Sequence, residues 1–257
     1  MVVLLVHSPL VGPSTWEPLA SLLRRRGLTV ALPDLRAALD APPPIWAALV
    51  TRATENLVPG VLGPVRDGIR HERDREPDAG GGVAPPPGLG PIVVGHSGAG
   101  VLLPAVAARL DAASMVFVDA LVPPTEGAFT PSVGFRAFVD GLPQHDGRLP
   151  PWTTWWGPDA MVDLVPDPAL RGVIEADGPA VPRALYDEAV PVPDGWSDRP
   201  AAYLQLSPAY DAEAAEARRR GWPVERLTGG HLDLATRPSD VLAALDRLLP
   251  TAFPPAG

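Results

Sequence analysis

Six short apolar runs, separated by longer helical patterns, constrain the fold of this chain more than any other feature of its sequence. The runs are VVLLV (2–6), LTVAL (28–32), PIVV (91–94), MVFV (115–118), AYLQL (202–206) and PVERL (223–227). The helical patterns cover residues 16–25, 45–57, 98–110, 211–220 and 238–249. Near-continuous apolar strands are typical of parallel sheets that helices cover on both faces. The alternation predicts an α/β fold with a doubly wound, mainly parallel sheet of about six strands.

The length of 257 residues is compatible with a single domain over residues 1–257. Its predicted core comprises residues 1–120 and 201–257, and residues 121–200 are predicted to form a lid. Insertions of this size commonly cover the carboxyl ends of the strands, where α/β proteins bind ligands. A Gly/Pro-rich tract at 71–90 is predicted to be a surface loop, and no role is assigned to it.

The predicted lid is rich in aromatic residues. It holds eight of the fifteen in the chain, which has seven Trp, five Phe and three Tyr. We interpret this enrichment as an apolar substrate pocket, although such rings can equally form the insertion's own small core. The predicted pocket residues are His96, Trp152, Trp155, Trp156 and Phe135.

Composition excludes several classes of function. The net charge of −9 disfavours binding to nucleic acid or to an anionic membrane surface. The absence of cysteine excludes disulfides and thiolate-ligated metals, and the five histidines have no paired metal-ligand spacing. No metal or cofactor is therefore expected. The N-terminal apolar run has no basic segment before it and does not resemble a signal peptide, so a cytoplasmic location is expected.

The stretch PIVVGHSGAGVLLPAVAARL (91–110) combines a strand, a tight turn with Ser97 and a helix. A serine hydroxyl needs a base and an exposed geometry to act as a nucleophile, and a sharp turn after a strand supplies that geometry. The following helix points its first N–H groups at the reaction centre, so the Gly98 N–H is predicted to bind an oxyanion. A second interpretation is that Gly95, Gly98 and Gly100 make room for a phosphate.

The motif Gly95-His96-Ser97-Gly98-Ala99 resembles the nucleophile elbow of the α/β-hydrolase family, Gly-x-Ser-x-Gly, with Ala99 at the last position. The chain order of serine, acid and histidine resembles that family too, because Gly229 and Gly230 present His231 after the last predicted strand. The chain also resembles the family's compact branch of plant methylesterases and hydroxynitrile lyases. The resemblance implies a fold lacking the family's first two strands, with Ser97 as nucleophile and His231 as base.

Two aspartates compete for the acid that orients His231. Asp119 ends the predicted strand that follows the elbow helix, where the resemblance to the haloalkane dehalogenases implies a carboxylate. Asp211 follows the next strand, where most of the family keeps its acid, but it lies about two residues beyond the usual offset and suits a helix start. We favour Asp119 and keep Asp211 as the alternative. Asp233 is close in sequence to His231 and is not favoured.

The loop after the first strand departs from the family pattern. The family uses a backbone N–H of this loop for the oxyanion, but His7-Ser8-Pro9-Leu10 has at that point a proline, which has no N–H. The Leu10 N–H or the Ser8 hydroxyl is the predicted replacement, and the hydroxynitrile lyases place a hydroxyl residue at the position of Ser8. His7 is interpreted as a structural residue.

The predicted function is therefore a serine hydrolase that acts on an ester, thioester or lactone of an apolar small molecule. The first alternative is a lyase or cyclase that uses Ser97 and His231 for proton transfer. Two further alternatives are an NAD(P)-binding oxidoreductase, disfavoured because a chain without lysine has no Tyr-x-x-x-Lys pair, and a non-catalytic binding protein. The expected partner is the small-molecule substrate, with a homodimer left open.

Overall fold

The computed structural model describes residues 1–55, 57, 90–157 and 159–249. Most of the predicted surface loop, residues 71–89, lies outside this part of the chain. The strands within it are β1 Val2–Val6, β2 Thr29–Ala31, β3 Ile92–Ser97, β4 Ser114–Ala120, β5 Ala128–Phe129, β6 Arg148–Leu149, β7 Val181–Pro182, β8 Val190–Pro191, β9 Ala201–Gln205 and β10 Val224–Arg226. The α-helices are α1 Glu17–Arg25, α2 Ile45–Thr54, α3 Leu103–Leu110, α4 Val133–Asp140, α5 Ala160–Leu164, α6 Pro168–Asp177, α7 Asp211–Arg219, α8 Asp233–Thr236 and α9 Pro238–Leu248.

The six predicted strands form one sheet in the order β10-β9-β4-β3-β1-β2. Every neighbouring pair in this sheet is parallel, so the prediction of a mainly parallel sheet is confirmed. The five predicted helices also form, with ends that differ by a few residues. Among the described residues, no helix has the length and apolarity needed to span a membrane.

Helices cover both faces of the sheet, which explains why its central strands are largely apolar on both sides. In β1, Leu4 and Val6 belong to the core packed under α2, α3 and α7, whereas Val3 and Leu5 belong to the opposite core under α1 and α9. Successive side chains of a strand point to opposite faces, so a strand between two helical layers must be apolar on both.

Residues 121–200, called the insertion below, lie between β4 and β9. They contain two small antiparallel sheets, β5 with β8 and β6 with β7, together with α4, α5 and α6. Buried side chains of the insertion are continuous with the core under α2 and α3: Val139, Leu149, Trp155, Val181, Val190 and Trp196. The insertion therefore packs onto the sheet domain through an apolar core. Its division from the rest of the chain as a lid stays a prediction.

The strand order places the candidate residues together. The chain runs from β1 to β2 at one edge and then returns to β3 on the other side of β1, so the direction of winding reverses between β1 and β3. Ligands of open α/β sheets bind at the carboxyl ends of the strands beside such a reversal. Ser8 follows β1 and Ser97 ends β3, so both lie at this point.

Candidate active site

Ser97 occupies a strained turn between β3 and a helix. Its backbone has φ 57° and ψ −127°, and the chain continues directly into a 3-10 turn over Gly98–Leu102 and then into α3. A positive φ is costly for a residue with a Cβ and is concentrated at functional sites. The turn also needs Gly100, because a Cβ there would clash with the carbonyl oxygen of Leu121. The strand and helix thus fix Ser97 in a conformation that exposes its hydroxyl.

The glycines around Ser97 make room for the protein's own atoms rather than for a phosphate. Beside Gly95 lies the Leu103 side chain, and beside Gly98 lies the Ser8 hydroxyl, 3.2 Å from where a Cβ would be. A phosphate cradle needs open space at these positions. The packing therefore does not favour the dinucleotide interpretation.

Asp119 lies fully buried next to Ser97, at the end of β4. Its φ of 43° is also positive, and Leu206, Ser207 and His231 contact its carboxylate. Oδ1 accepts hydrogen bonds from the backbone N–H groups of Leu206, at 2.9 Å, and Ser207, at 3.0 Å. Oδ2 accepts from the Ser207 hydroxyl at 2.6 Å and from His231 Nδ1 at 2.7 Å. Two residues after β9 thus hold the acid that comes from β4.

These hydrogen bonds keep Asp119 ionised. Burial raises the pKa of its carboxyl, but the hydrogen bond and charge of His231 and the two donors of Ser207 together outweigh burial, and the pKa lies below its ordinary value. A buried carboxylate with four donors is satisfied despite its burial. Asp119 therefore presents a negative charge to the imidazole.

The Asp119 contact fixes the orientation of His231. Since Nδ1 donates its proton to the carboxylate, Nε2 is the unprotonated nitrogen of the neutral ring. The side chain is 14% exposed. The Tyr210 ring stacks on the imidazole with centroids 5.1 Å apart and planes 9° apart, and Trp152 lies 6.1 Å away. The geometry thus leaves His231 Nε2 as the ring nitrogen that can accept a proton.

His96 lies in a different environment from the substrate pocket predicted for it. Its side chain is buried at 1% exposure, and its Nε2–H donates to the carbonyl oxygen of His231 at 2.9 Å. Burial, together with the nearby His231, lowers the pKa of His96 well below its ordinary value. The ring lies 4.3 Å from the His231 ring and supports it from within the protein.

The other two aspartates are engaged elsewhere. Asp211 begins α7, accepts a hydrogen bond from Gln205 Nε2 and faces Arg226 at 3.7 Å. Asp233 begins α8 and binds Thr236 and Arg237. Of the three candidate acids, the structure places only Asp119 against His231.

Sequence reasoning missed two residues that follow β9. Ser207 donates to Asp119, and the Tyr210 hydroxyl lies 3.2 Å from Ser97 Oγ. In the described contacts, the Ser97 side chain hydrogen-bonds to Tyr210 rather than to His231. The available signal was the position of SPAY directly after the predicted strand at 202–206, at the carboxyl edge that also carries Ser97.

The loop after β1 provides a hydroxyl at the candidate oxyanion site. Ser8 is buried, and its Oγ accepts the Leu10 N–H at 3.3 Å, which leaves the hydroxyl proton to donate. Two replacements were predicted for the missing N–H of Pro9. One of them, the Leu10 N–H, already donates to Ser8 Oγ, which leaves the Ser8 hydroxyl as the candidate donor to the oxyanion. The Gly98 N–H, as the first of the turn, has no acceptor within its helix.

His7 is a structural support for this loop, as interpreted from the sequence. Its Nδ1–H donates to the carbonyl oxygen of Ser8 at 2.8 Å, and its Nε2 accepts the Leu35 N–H at 2.9 Å. Burial lowers its pKa. Both ring nitrogens are used by the backbone, so His7 has no free atom for catalysis.

The four aromatic pocket candidates in the insertion divide into two groups. Trp152 lies beside His231. Trp155 is buried and donates from Nε1 to the carbonyl oxygen of Pro150. Trp156 is 54% exposed and stacks on Phe138, which also lies 6.2 Å from Phe135. Among these rings, only Trp152 contacts His231, and the other three pack within the insertion.

A family model described as "Alpha/beta hydrolase family" matches residues 3–245. A search of curated proteins found no significant match. Several solved structures share the fold at low sequence identity. An extracellular alpha/beta-hydrolase from a Paenibacillus species, described as homologous to tobacco salicylic acid binding protein 2, is 16% identical with a TM-score of 0.63; the alignment covers 96% of this chain and 98% of that one.

Two further structures have similar scores. Tomato methylketone synthase I, complexed with 2-tridecanone, is 14% identical with a TM-score of 0.62, and 98% of each chain is covered. Polyneuridine aldehyde esterase is 16% identical with a TM-score of 0.59, and the alignment covers 96% of this chain and 98% of that one. At these identities the likeness concerns the fold.

Proposed function

Because the chain belongs to the alpha/beta hydrolase family, we propose that it is a serine hydrolase acting on an ester, thioester or lactone of an apolar small molecule. The observation that carries the proposal is the buried Asp119–His231 hydrogen bond of 2.7 Å beside the strained Ser97 turn. An ionised acid, an oriented imidazole and an exposed serine hydroxyl are the three groups of a catalytic triad, in which the acid orients the base and the base activates the serine.

In this mechanism His231 Nε2 removes the proton of Ser97 as Oγ attacks the substrate carbonyl. Asp119 stabilises the imidazolium that forms, because its carboxylate already accepts the Nδ1–H. His231 then gives the proton to the leaving group, and water releases the acyl group by the same steps in reverse order. Asp119 stays ionised throughout, consistent with its lowered pKa.

The oxyanion is bound from two sides. The Gly98 N–H comes from the turn after Ser97, and the Ser8 hydroxyl replaces the N–H that Pro9 lacks. The Leu10 N–H, bound to Ser8 Oγ, orients this hydroxyl and strengthens it as a donor, because hydrogen bonds in a chain polarise one another. Each such donor contributes to the rate because the negative charge forms only in the transition state.

The Trp152 ring lies beside His231 and gives the proposed site an apolar wall, which favours an apolar substrate. The structural neighbours agree with this chemistry. One is an esterase and another is a pyrethroid hydrolase, 15% identical with a TM-score of 0.60. The first name describes cleavage of an ester and the second a hydrolase.

A second function is favoured by one contact. Ser97 Oγ hydrogen-bonds to the Tyr210 hydroxyl at 3.2 Å, and the described residues provide no hydrogen bond from it to His231. A lyase or cyclase would use His231 to move a substrate proton directly, while the hydroxyls of Ser97, Tyr210 and Ser8 bind the substrate oxygen. Tomato methylketone synthase I, whose name describes another chemistry than hydrolysis, has the same fold.

The intact mass of the protein after treatment with a fluorophosphonate tests the two functions. A single adduct on the wild type that is lost in Ser97→Ala and kept in Ser14→Ala supports the hydrolase. No adduct on folded wild-type protein contradicts the nucleophile assignment and favours the proton-transfer enzyme.

A further inference from the structure

Tyr210 connects the two residues that carry the proposed reaction. Its hydroxyl lies 3.2 Å from Ser97 Oγ, and its ring stacks on the His231 imidazole at a centroid distance of 5.1 Å. Tyr210 follows β9 in a 3-10 turn over Pro208–Tyr210, which places it at the carboxyl edge of the sheet. Neither the acid, the base nor the oxyanion site requires a hydroxyl at this place.

Tyr210 is a neutral hydrogen-bond donor. Burial raises the pKa of its hydroxyl; the hydrogen bond with Ser97 lowers it, and the negative charges of Asp119 and Glu213 raise it further. The net effect is a pKa above the ordinary value of 10.0. The hydroxyl therefore keeps its proton at neutral pH and can donate it in a hydrogen bond without transferring it.

We propose that Tyr210 is a catalytic residue that binds the leaving-group oxygen of the substrate. The inference rests on the proposed hydrolase function. In the tetrahedral intermediate, Ser97 Oγ and the leaving oxygen are bonded to the same carbon, so a donor that contacts Oγ can reach the leaving oxygen by a small movement of its hydroxyl. The oxyanion is held by Ser8 and Gly98, so the contact of Tyr210 is separate from theirs.

The proton and electron pairs balance without any change in Tyr210. The bond between Ser97 Oγ and the carbonyl carbon forms as the Oγ proton passes to His231 Nε2 and the C=O π pair moves onto the oxyanion held by Ser8 and Gly98. That pair then re-forms the carbonyl as the bond from carbon to the leaving oxygen breaks; the electron pair of the broken bond stays on the leaving oxygen, and His231 returns the proton to it. As negative charge grows on the leaving oxygen, the hydrogen bond of the Tyr210 hydroxyl shifts from Ser97 Oγ to that oxygen.

This role predicts a dependence on the leaving group. When an alkyl alcohol leaves, its strongly basic oxygen carries much negative charge in the transition state, and a hydrogen-bond donor lowers the barrier considerably. A p-nitrophenolate spreads this charge over its ring, so the same donor lowers the barrier little. A purely structural Tyr210, which only positions the His231 ring, would affect both substrates equally.

The test compares Tyr210→Phe with the wild type on two esters of one acyl chain, ethyl hexanoate and p-nitrophenyl hexanoate. The variant keeps the ring stacked on His231 and removes only the hydroxyl. We expect kcat/KM, which reports acylation, to fall about 10- to 100-fold for the ethyl ester, as for loss of one hydrogen bond to a charged group. For the p-nitrophenyl ester we expect less than about a threefold change.

Tyr186→Phe is the matched control, because Tyr186 packs within the insertion against Phe135 and Trp155. It should leave both esters unaffected. Fluorophosphonate labelling of Ser97 in Tyr210→Phe verifies that the variant is folded and its nucleophile active. Equal losses on both esters, or no loss on either, would overturn the leaving-group role alone. A wild type inert to both esters and to the fluorophosphonate would overturn the proposed function, and this inference with it.

Discussion

The two sides of Ser97 are built by different means. On the base side, His231 is held by a buried carboxylate that itself accepts four hydrogen bonds, three of them from Leu206 and Ser207. On the proposed oxyanion side, the hydroxyl of Ser8 is proposed to take the place of a backbone N–H, and its Oγ accepts the Leu10 N–H at 3.3 Å. One side relies on a fixed charge, the other on a neutral hydroxyl that can rotate.

The difference indicates where the site tolerates change. If the buried carboxylate loses its charge, several donors are left without an ionised acceptor. The hydrogen bonds that orient His231 should then weaken together. In the proposed mechanism the Ser8 hydroxyl gives the oxyanion one hydrogen bond, and its loss leaves the Gly98 N–H in place. We therefore expect larger effects on the base side than on the oxyanion side.

Replacement of Asp119 should have the largest effect. Asp119→Asn removes the negative charge, and the amide NH₂ favours the imidazole tautomer with its proton on Nε2, which cannot act as a base. We expect kcat to fall about 10³- to 10⁴-fold. Asp211→Asn is the matched control and should stay within about twofold of the wild type, because Asp211 contacts Gln205 and Arg226 rather than His231. Equal losses in both variants would contradict the acid assignment.

Removal of the Ser8 hydroxyl should be the next largest effect. Ser8→Ala deletes the side-chain donor to the oxyanion, and we expect kcat to fall about 10²- to 10³-fold with little change in KM. Ser14→Ala makes the same substitution in the same loop, at a buried hydroxyl for which the described residues provide no hydrogen-bond partner, and should retain activity. A Ser8→Ala variant with unchanged kcat would show that another donor binds the oxyanion.

The sheet could be predicted from the sequence because helices bury its central strands on both faces, which makes them largely apolar. The edge strands β2 and β10 are partly exposed and less apolar. The acid could not be fixed in the same way. Asp119 and Asp211 both come after strands, and the choice depends on the positive φ of Asp119 and on the donors that reach it from Ser207. Such contacts cross from one strand to its neighbour and leave no periodic signal in the sequence.

The substrate side was the least predictable. Clustered aromatic residues indicate an apolar region, but composition does not decide which ring meets the base. Trp155 and Trp156 are neighbours of Trp152 in sequence, yet one packs inside the insertion and the other stacks on Phe138. Tyr210 was missed because its contact with His231 depends on a turn after β9 that brings its ring against the imidazole.

Trp152 extends the comparison to substrate binding. Trp152→Ala removes an apolar wall beside His231, so we expect KM for an apolar ester to rise about tenfold while kcat changes less. Trp156→Ala, at a ring that is 54% exposed, should leave KM within about twofold of the wild type. Steady-state measurement of kcat and KM for both variants on one apolar ester tests this difference. A larger KM effect at Trp156 would mean that the substrate binds along the insertion's outer surface.

The smallest effect concerns the buried histidines under the two sides, His96 under the base and His7 under the oxyanion loop. Both have pKa values below the ordinary 6.5, chiefly because burial disfavours the charged ring. As pH falls below 6.5, the unfolded chain takes up protons that the folded protein does not bind. Each histidine therefore makes its full contribution to the free energy of unfolding above pH 6.5. Below that pH the contribution falls by about 1 kcal/mol per pH unit for each histidine.

The contribution of His96 can be separated because, among the described residues, only its Nε2 has a hydrogen-bond partner, the His231 carbonyl oxygen. His96→Gln replaces that donor with an amide NH₂ and removes the titration. Urea unfolding at about pH 7.5 and about pH 5.5 should then give a smaller acid-induced loss in the variant than in the wild type. His145→Gln, at a side chain that is 94% exposed, should leave the loss unchanged. Equal losses in wild type and His96→Gln would mean that the base side does not depend on a neutral His96, and that His7 and the carboxylates account for the acid sensitivity of the fold.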